Sequence, residues 1–302
     1  MRVEFKHSMK KIIEKISFRF YQWAYSAVSW RMRDKFLRWK NSTDEIIHDE
    51  VLTGQGDDTF PKISVIILCY NNLKFTKMCV ESVLERTIYP NYEIILVDNA
   101  STDGTGTYIV ALQYELNCVH SVQLATNTGF SEGNNQGAAI ASGDIIVFLN
   151  NDTIVTRGWL TKFAKLLQDK SIGLIGPVVN FSGNETRVPV GYQGVEEIDA
   201  YARFFSINYS QEPFDIDVVP FHCVAMRKEV WDSIGELDRR FGIGMFEDDD
   251  YSLRVKKAGF RNVCTEDVFV HHWGRMSFSK MEKEEHNKLF HANKSKFEAK
   301  WN

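Results

Sequence analysis

Four short apolar runs constrain this chain most: ISVIIL (63–68), EIILVD (93–98), VQLAT (122–126) and DIIVFLN (144–150). Three are rich in Val and Ile without polar alternation, as expected of strands covered on both faces. A recurrence of about 30 residues leaves room for a helix between strands, and helices are expected at 73–86, 105–115 and 133–141. The expected fold class is therefore α/β, a nucleotide-binding type domain with a mostly parallel central sheet flanked by helices.

In an open parallel sheet, ligands gather at the carboxyl ends of the strands. Here the runs close on CYNN (69–72), DNASTDGT (98–105), NTGFSEGNNQG (127–137) and NNDT (150–153). One such cluster would be an ordinary turn, since Asn, Asp, Ser and Gly favour turns. Four on one sheet edge point to a nucleotide-type site. Neither GxGxxG after the first strand nor GxxxxGK[ST] is present, which argues against dinucleotide oxidoreductases and P-loop enzymes.

The second half continues with GLIGPVV (173–179), a polar segment from 180 to 217, VVPFHCVAMR, an acidic helix and VCTEDVFVHHW. Tyr201, Phe204 and Phe205 in the polar segment are expected to shape an acceptor side. The tail from 276 to 302 reads as a surface helix. The organisation expected is a helical arm and linker over 1–60, one domain over 61–275, and this tail. Within the domain, 61–153 is the nucleotide-binding half and 154–275 the acceptor-binding and catalytic half.

The formal charge of −4 hides an asymmetry, because residues 1–40 hold eleven Lys or Arg against three acids. This arm, with Ile12, Ile13, Ile16, Phe20 and Trp23 near helical spacing, reads as a basic, aromatic, amphipathic helix. It suits attachment to an anionic membrane surface or packing against protein. The acidic remainder argues against nucleic acid as a partner. Five cysteines, never at CxxC spacing, suggest reduced thiols. With no apolar stretch of about 18 residues and no signal-peptide pattern, the expected setting is cytoplasmic, peripheral on the inner face of a membrane.

Four consecutive acids, Glu247, Asp248, Asp249 and Asp250, open the helix EDDDYSLRVKKAG. At 3.6 residues per turn, Asp248, Tyr251, Val255 and Ala258 form the stripe expected to pack inward. Asp250 is set to pair with Arg254 on another face. Alternation along VFVHHW puts His271 and His272 on opposite faces of a strand.

In this order, CYN, VDNASTDGT, NTGFSEGNNQGAAIASGDIIVFLNNDT and GELDRRFGIGMFEDDDYSLR, the motifs resemble family 2 of the inverting nucleotide-sugar glycosyltransferases, which have the GT-A fold. The ending LNNDT is similar to the rhamnosyltransferase-like subgroup of bacterial surface-polysaccharide enzymes. The resemblance implies that Tyr70, Asn71, Asp98, Asn127, Gly133, Asn134, Asn150 and Asn151 bind the nucleotide. Asp98 would accept the imide N–H of uracil or thymine, and its other reading is a turn cap.

Asp152 would hold Mg²⁺ or Mn²⁺, completed by His271 or His272. Where the family usually has Asp-x-Asp, this chain has only one carboxylate, and where many relatives carry Arg it has Asn134. Asp248 would be the general base, with Glu247, Asp249 and Trp273 toward the acceptor. The implied partners are a UDP- or dTDP-linked donor and a glycan or lipid-linked acceptor. The competing readings are a nucleotidyltransferase and a non-catalytic glycan-binding or nucleotide-sugar-binding protein of the same fold.

Overall fold

The computed structural model describes residues 60–209, 212–274 and 282–302. The basic arm of residues 1–40 and its linker lie outside the described residues.

The chain alternates β1 (Ile63–Cys69), α1 (Leu73–Arg86), β2 (Tyr92–Asp98), α2 (Thr105–Glu115), β3 (Val119–Gln123), α3 (Gly129–Ala139) and β4 (Ile145–Asn150). After it come β5 (Thr153–Ile154), α4 (Trp159–Leu166), β6 (Ile172–Val179), α5 (Ile198–Tyr209) and β7 (Phe214–Asp215). The described chain closes with β8 (Cys223–Arg227), α6 (Lys228–Ile234), α7 (Glu247–Lys257), β9 (Arg261–His272) and α8 (Lys283–Trp301).

Nine strands form a sheet in the order β3-β2-β1-β4-β8-β6-β9-β5, with β7 on β9. The first four pair in parallel, as the βαβ spacing requires. Beyond them β8 runs antiparallel to both β4 and β6, while β6 and β9 are parallel to one another. The carboxyl ends of β1 to β4, β6 and β9 and the amino end of β8 thus share one edge.

Both faces are covered, which is why the central strands β1, β4 and β6 are nearly continuous apolar runs. On one face Ile63, Val65 and Ile67 of β1 pack with Val80 and Val83 of α1, Ile109 of α2, and Trp159 and Phe163 of α4. On the other, Ile66 and Phe148 join Ala138 of α3, Tyr201 and Phe205 of α5, and Tyr251 and Val255 of α7. Tyr201, Phe204 and Phe205 are therefore core side chains at 0, 3 and 2% exposure, rather than the acceptor-facing residues expected.

Two boundaries differ from expectation. β3 lies at 119–123, earlier than the VQLAT run, because the edge strand leaves His120 exposed and needs no continuous apolar stretch. α3 begins at Gly129 rather than 133, because the glycines of GFSEG permit close helix packing instead of marking a loop.

At the opposite edge of the sheet, Glu93 accepts hydrogen bonds from Lys62 Nζ (2.8 Å), Ser64 Oγ (2.6 Å) and the Ser142 N–H (2.8 Å). Burial alone would raise this carboxyl, but those donors hold it at about 2. Its folded value lies below the ordinary 4.5, so its stabilisation is present above pH 4.5 and disappears as pH falls toward 2. Glu93→Gln is expected to cost about 2 kcal/mol at pH 7. In urea unfolding the gap from wild type should close between pH 4.5 and 2, and a gap independent of pH would refute the assignment.

Candidate active site

The loops after β1 and β2 are laced together. Asn71, Asn72 and Ala100 take left-handed backbone angles with φ of 53°, 61° and 63°. The Asn71 N–H donates to Ser101 Oγ and its Oδ1 accepts from the Thr102 N–H, each at 2.8 Å. Tyr70 stands beside them 41% exposed. Asp98 is buried at the end of β2, and its Oδ1 accepts from the Ser101 N–H at 3.0 Å, so one oxygen caps the turn. Ser101, Thr102, Gly104, Gly106 and Gln123 line an open pocket of about 530 Å³ next to it.

The segment after β3 is bound to the same edge through Asn99, a residue sequence reasoning missed. Asn99 Nδ2 donates to Asn127 Oδ1 (2.9 Å) and its Oδ1 accepts from the Thr128 N–H (2.8 Å). Asn127 Oδ1 also accepts from the Gly129 N–H, so this oxygen is engaged within the loop.

Two expected nucleotide contacts are corrected here. A Cβ on Gly133 would lie 2.4 Å from Leu68 Cδ1, so the close approach it permits is helix to strand, not backbone to ligand. Asn134 is buried and donates to the Phe130 carbonyl one turn back, a local helix bond.

After β4 the three polar residues diverge. Asn150 is half-buried at the edge, whereas Asn151 is buried and donates from Nδ2 to Thr76 Oγ1 of α1 (2.9 Å). Asp152 is also buried, and its Oδ1 lies 3.3 Å from His272 Nε2. The β5–β9 pairing of Thr153 with His272 brings them together across 120 residues of chain.

His272 Nδ1 faces the Phe181 carbonyl at 3.1 Å, and a carbonyl only accepts, so Nδ1 carries the proton. Nε2 faces the Asp152 carboxylate oxygen, and either a proton or a metal cation between them completes that arrangement. One carboxylate and one imidazole suit a divalent ion whose remaining positions go to phosphate and water oxygens. Among the described residues no group of three or more His, Cys, Asp and Glu is assembled to hold a metal unaided.

His271 points the other way, as alternation requires, with Nδ1 2.6 Å from the Tyr192 hydroxyl. Trp273 is 37% exposed, its ring edge-on to His271 (4.6 Å) and to Phe75 (5.6 Å). A second overlooked residue is His222, at the mouth of β8. It is buried and stacks on the His272 ring with centroids 4.9 Å apart. Nothing in its local sequence, an apolar VVPFHCVAM, distinguishes it from a core histidine.

The acids sit on the same edge. α7 turns back through residues 258–260 into the start of β9, so its first turn lies toward the carboxyl ends of the strands. Tyr251 packs edge-on against Phe221, the neighbour of His222 (5.6 Å).

The stripe expected from helical spacing is corrected. Glu247, Asp250, Tyr251, Ser252 and Val255 are buried, Asp248 and Asp249 are half-buried, and Ala258 is exposed. Asp250 is the fully buried acid because its charge is matched, by Arg254 Nε at 3.0 Å and Lys300 Nζ at 2.6 Å. Asp248 instead borders the edge with no cation bonded to it among the described residues, its Oδ1 accepting from the Asp249 N–H.

Burial, and then the neighbouring charge of Asp249, push the Asp248 carboxyl up to about 7. Glu247 is raised well above the carboxylate range by burial and by Asp248. Its Oε2 finds no hydrogen-bond partner among the described residues. Three crowded carboxyls with high proton affinity can take up a proton near neutrality.

The backbone entering α7 is strained, with Met245 at φ 77° and Phe246 at φ 72°. Gly129 makes room for this segment, because a Cβ there would sit 2.3 Å from the Gly242 carbonyl. The same carbonyl accepts from the Phe130 N–H at 2.8 Å, tying the segment to α3.

Residues 64–235 match the model of glycosyl transferase family 2. The chain is 27% identical over 228 residues to uncharacterized protein y4gI of Sinorhizobium fredii and 28% over 225 to O-antigen biosynthesis protein RfbC of Myxococcus xanthus. Each match covers 70% of this chain but only 24% and 17% of those longer proteins. Among solved structures, the mannosyltransferase PcManGT from Pyrobaculum calidifontis, in complex with GDP-Man and Mn²⁺, superposes with a TM-score of 0.55 at 18% identity, covering 89% of this chain and 77% of that one.

Proposed function

The chain belongs to glycosyl transferase family 2 and has the GT-A fold, and from that premise we propose an inverting sugar transfer from a UDP- or dTDP-linked donor to a glycan or lipid-linked acceptor. The observation that carries the reading is the Asp152–His272 pair, a buried carboxylate and a half-buried imidazole whose Oδ1 and Nε2 lie 3.3 Å apart at the strand edge. Asp152 and His272 would hold Mg²⁺ or Mn²⁺, which when bound would neutralise charge building on the departing diphosphate.

The rest of the chemistry falls to the chain. The Asp98 carboxyl and the laced loops around Asn71 would receive the base and ribose, with Tyr70 and Asn150 at the rim. Asp248 would take the acceptor hydroxyl proton as that oxygen attacks the anomeric carbon and the bond to the diphosphate oxygen breaks from the opposite face. One displacement inverts the configuration and needs no covalent nucleophile, unlike retaining paired-carboxylate chemistry. Glu247, Asp249 and Trp273 would border the acceptor.

The LNNDT ending favours a rhamnosyl donor, and the name of the O-antigen relative favours a role in surface polysaccharide synthesis. No described helix is long and apolar enough to cross a membrane, so a lipid-linked acceptor would be reached from the surface, with residues 1–40 on anionic lipid.

The test is nucleoside diphosphate release across UDP- and dTDP-sugars, with and without Mn²⁺, using lipid-linked and free glycan acceptors. Acceptor-dependent, Mn²⁺-dependent release is expected. Tight nucleotide binding with no release across the panel would favour the non-catalytic reading.

A further inference from the structure

The tail helix α8 is exposed along most of its length, yet one polar residue on it, Asn293, has no exposure at all. Its Nδ2 lies within hydrogen-bond distance of three backbone carbonyls, those of Phe241 (2.7 Å), Gly244 (2.8 Å) and Met245 (3.3 Å). All belong to the segment with left-handed angles that delivers the chain into Glu247 and Asp248.

Around Asn293 the helix makes a continuous seam at helical spacing. Phe290 and Phe297 hold the Phe246 ring between them, with centroids 5.2 and 5.8 Å away. Lys296 Nζ donates to the Arg240 carbonyl at 2.6 Å. Further along, Lys300 bridges Asp238 (2.8 Å) and Asp250 (2.6 Å), and Trp301 Nε1 donates to Asp250 Oδ1 at 2.9 Å.

A strained backbone persists only where its surroundings over-determine it. On one side the segment 242–246 is held by the start of α3, through the Phe130–Gly242 bond. On the other side its carbonyls and the Phe246 ring meet α8. An Asp250 carboxylate buried beside Arg254 is likewise neutralised by a residue of α8.

We propose that α8 is a positioning element for the transfer reaction, with Asn293 clamping the strained 241–245 carbonyls and Lys300–Trp301 anchoring Asp250, so that Asp248 is held toward the acceptor. The inference rests on the reading of Asp248 as the base. None of these α8 side chains touches substrate in this scheme. They act through the backbone that carries Asp248, while the Asp152–His272 site, held by β4, β5 and β9, stands apart from them.

The experiment compares the unaltered chain with Asn293→Ala, Asn293→Asp, Lys300→Ala and Lys300→Arg. Asn293→Asp keeps the shape but loses the donor. Turnover with the best donor and acceptor is expected to fall about tenfold or more in the two Asn293 variants and in Lys300→Ala. The donor KM and the affinity for UDP or dTDP with Mn²⁺ should stay within about twofold, and Lys300→Arg should recover most of kcat.

Hydrogen exchange supplies a readout independent of activity. Amides of 242–250 should exchange faster in Asn293→Ala while those of β1 to β4 do not. Unchanged exchange at 242–250, unchanged kcat, or a parallel loss of nucleotide affinity would overturn the proposal. Asp248→Asn is run alongside: if it keeps full turnover the base assignment fails, whereas a loss there with normal Asn293 variants sinks only the positioning role of α8.

Discussion

Asp248→Asn is expected to lower turnover about 10³-fold while leaving nucleotide affinity unchanged. The substitution keeps the size of the side chain but removes the carboxylate lone pair proposed to accept the acceptor proton. It also leaves Asp152, His272 and the β1 and β2 loops untouched.

The pH profile should carry the same signature. With its carboxyl raised to about 7, Asp248 acting as the proposed base would be protonated and inactive below that value. The kcat/KM of the wild type should fall tenfold per pH unit on the acid side and level off above about 7. Glu247 and Asp249 crowd Asp248, so the limb reports the cluster rather than one isolated group. A variant with full activity, or a limb near pH 4, would remove Asp248 from the role.

Asp152→Ala should abolish the response to metal. Losing charge neutralisation at the leaving diphosphate is worth about 3 to 4 kcal/mol, or a 10²- to 10³-fold fall in kcat/KM. Binding distinguishes this from a folding defect: Mn²⁺ should strengthen UDP or dTDP binding to the wild type and not to Asp152→Ala, with melting temperatures alike. His272→Ala should be intermediate, since the carboxylate remains. His271→Ala should keep the metal response, because its ring turns away toward Tyr192. Equal metal enhancement in wild type and Asp152→Ala would reject the site.

The two assignments were legible in the sequence to different degrees. Asp152 closes an apolar strand in a polar cluster, one of four such clusters on the edge, and the resemblance to the family, not local pattern, singled it out. His272 could be narrowed only to a pair, because alternation says the two rings diverge but not which face holds Asp152. The β5–β9 pairing, joining residues far apart in the chain, makes that choice.

The acids show where local pattern misleads. Helical periodicity turned Asp248 inward and Asp250 out, on the assumption that Tyr251 and Val255 define a single buried face. Burial of Asp250 depends instead on Arg254 and on Lys300 from the far end of the chain. The tail had its own signal, Phe290, Asn293, Phe297 and Trp301 along one helical stripe, within a helix that otherwise reads as solvated surface. Gly133 and Asn134 went astray for a related reason, since small and polar residues near a strand end serve close helix packing as readily as ligand contact.

The parallel half of the sheet, the edge where its loops collect and the family are all readable along the chain. Those follow from strand-length apolar runs, their spacing and the order of short motifs, all local along the chain. Which histidine meets Asp152, which acid is buried with its charge matched, and what holds the strained entry to α7 came instead from packing in three dimensions. Each of those depends on contacts between residues distant in sequence, and burial or pairing at such contacts outweighs any preference that a short stretch of chain can express.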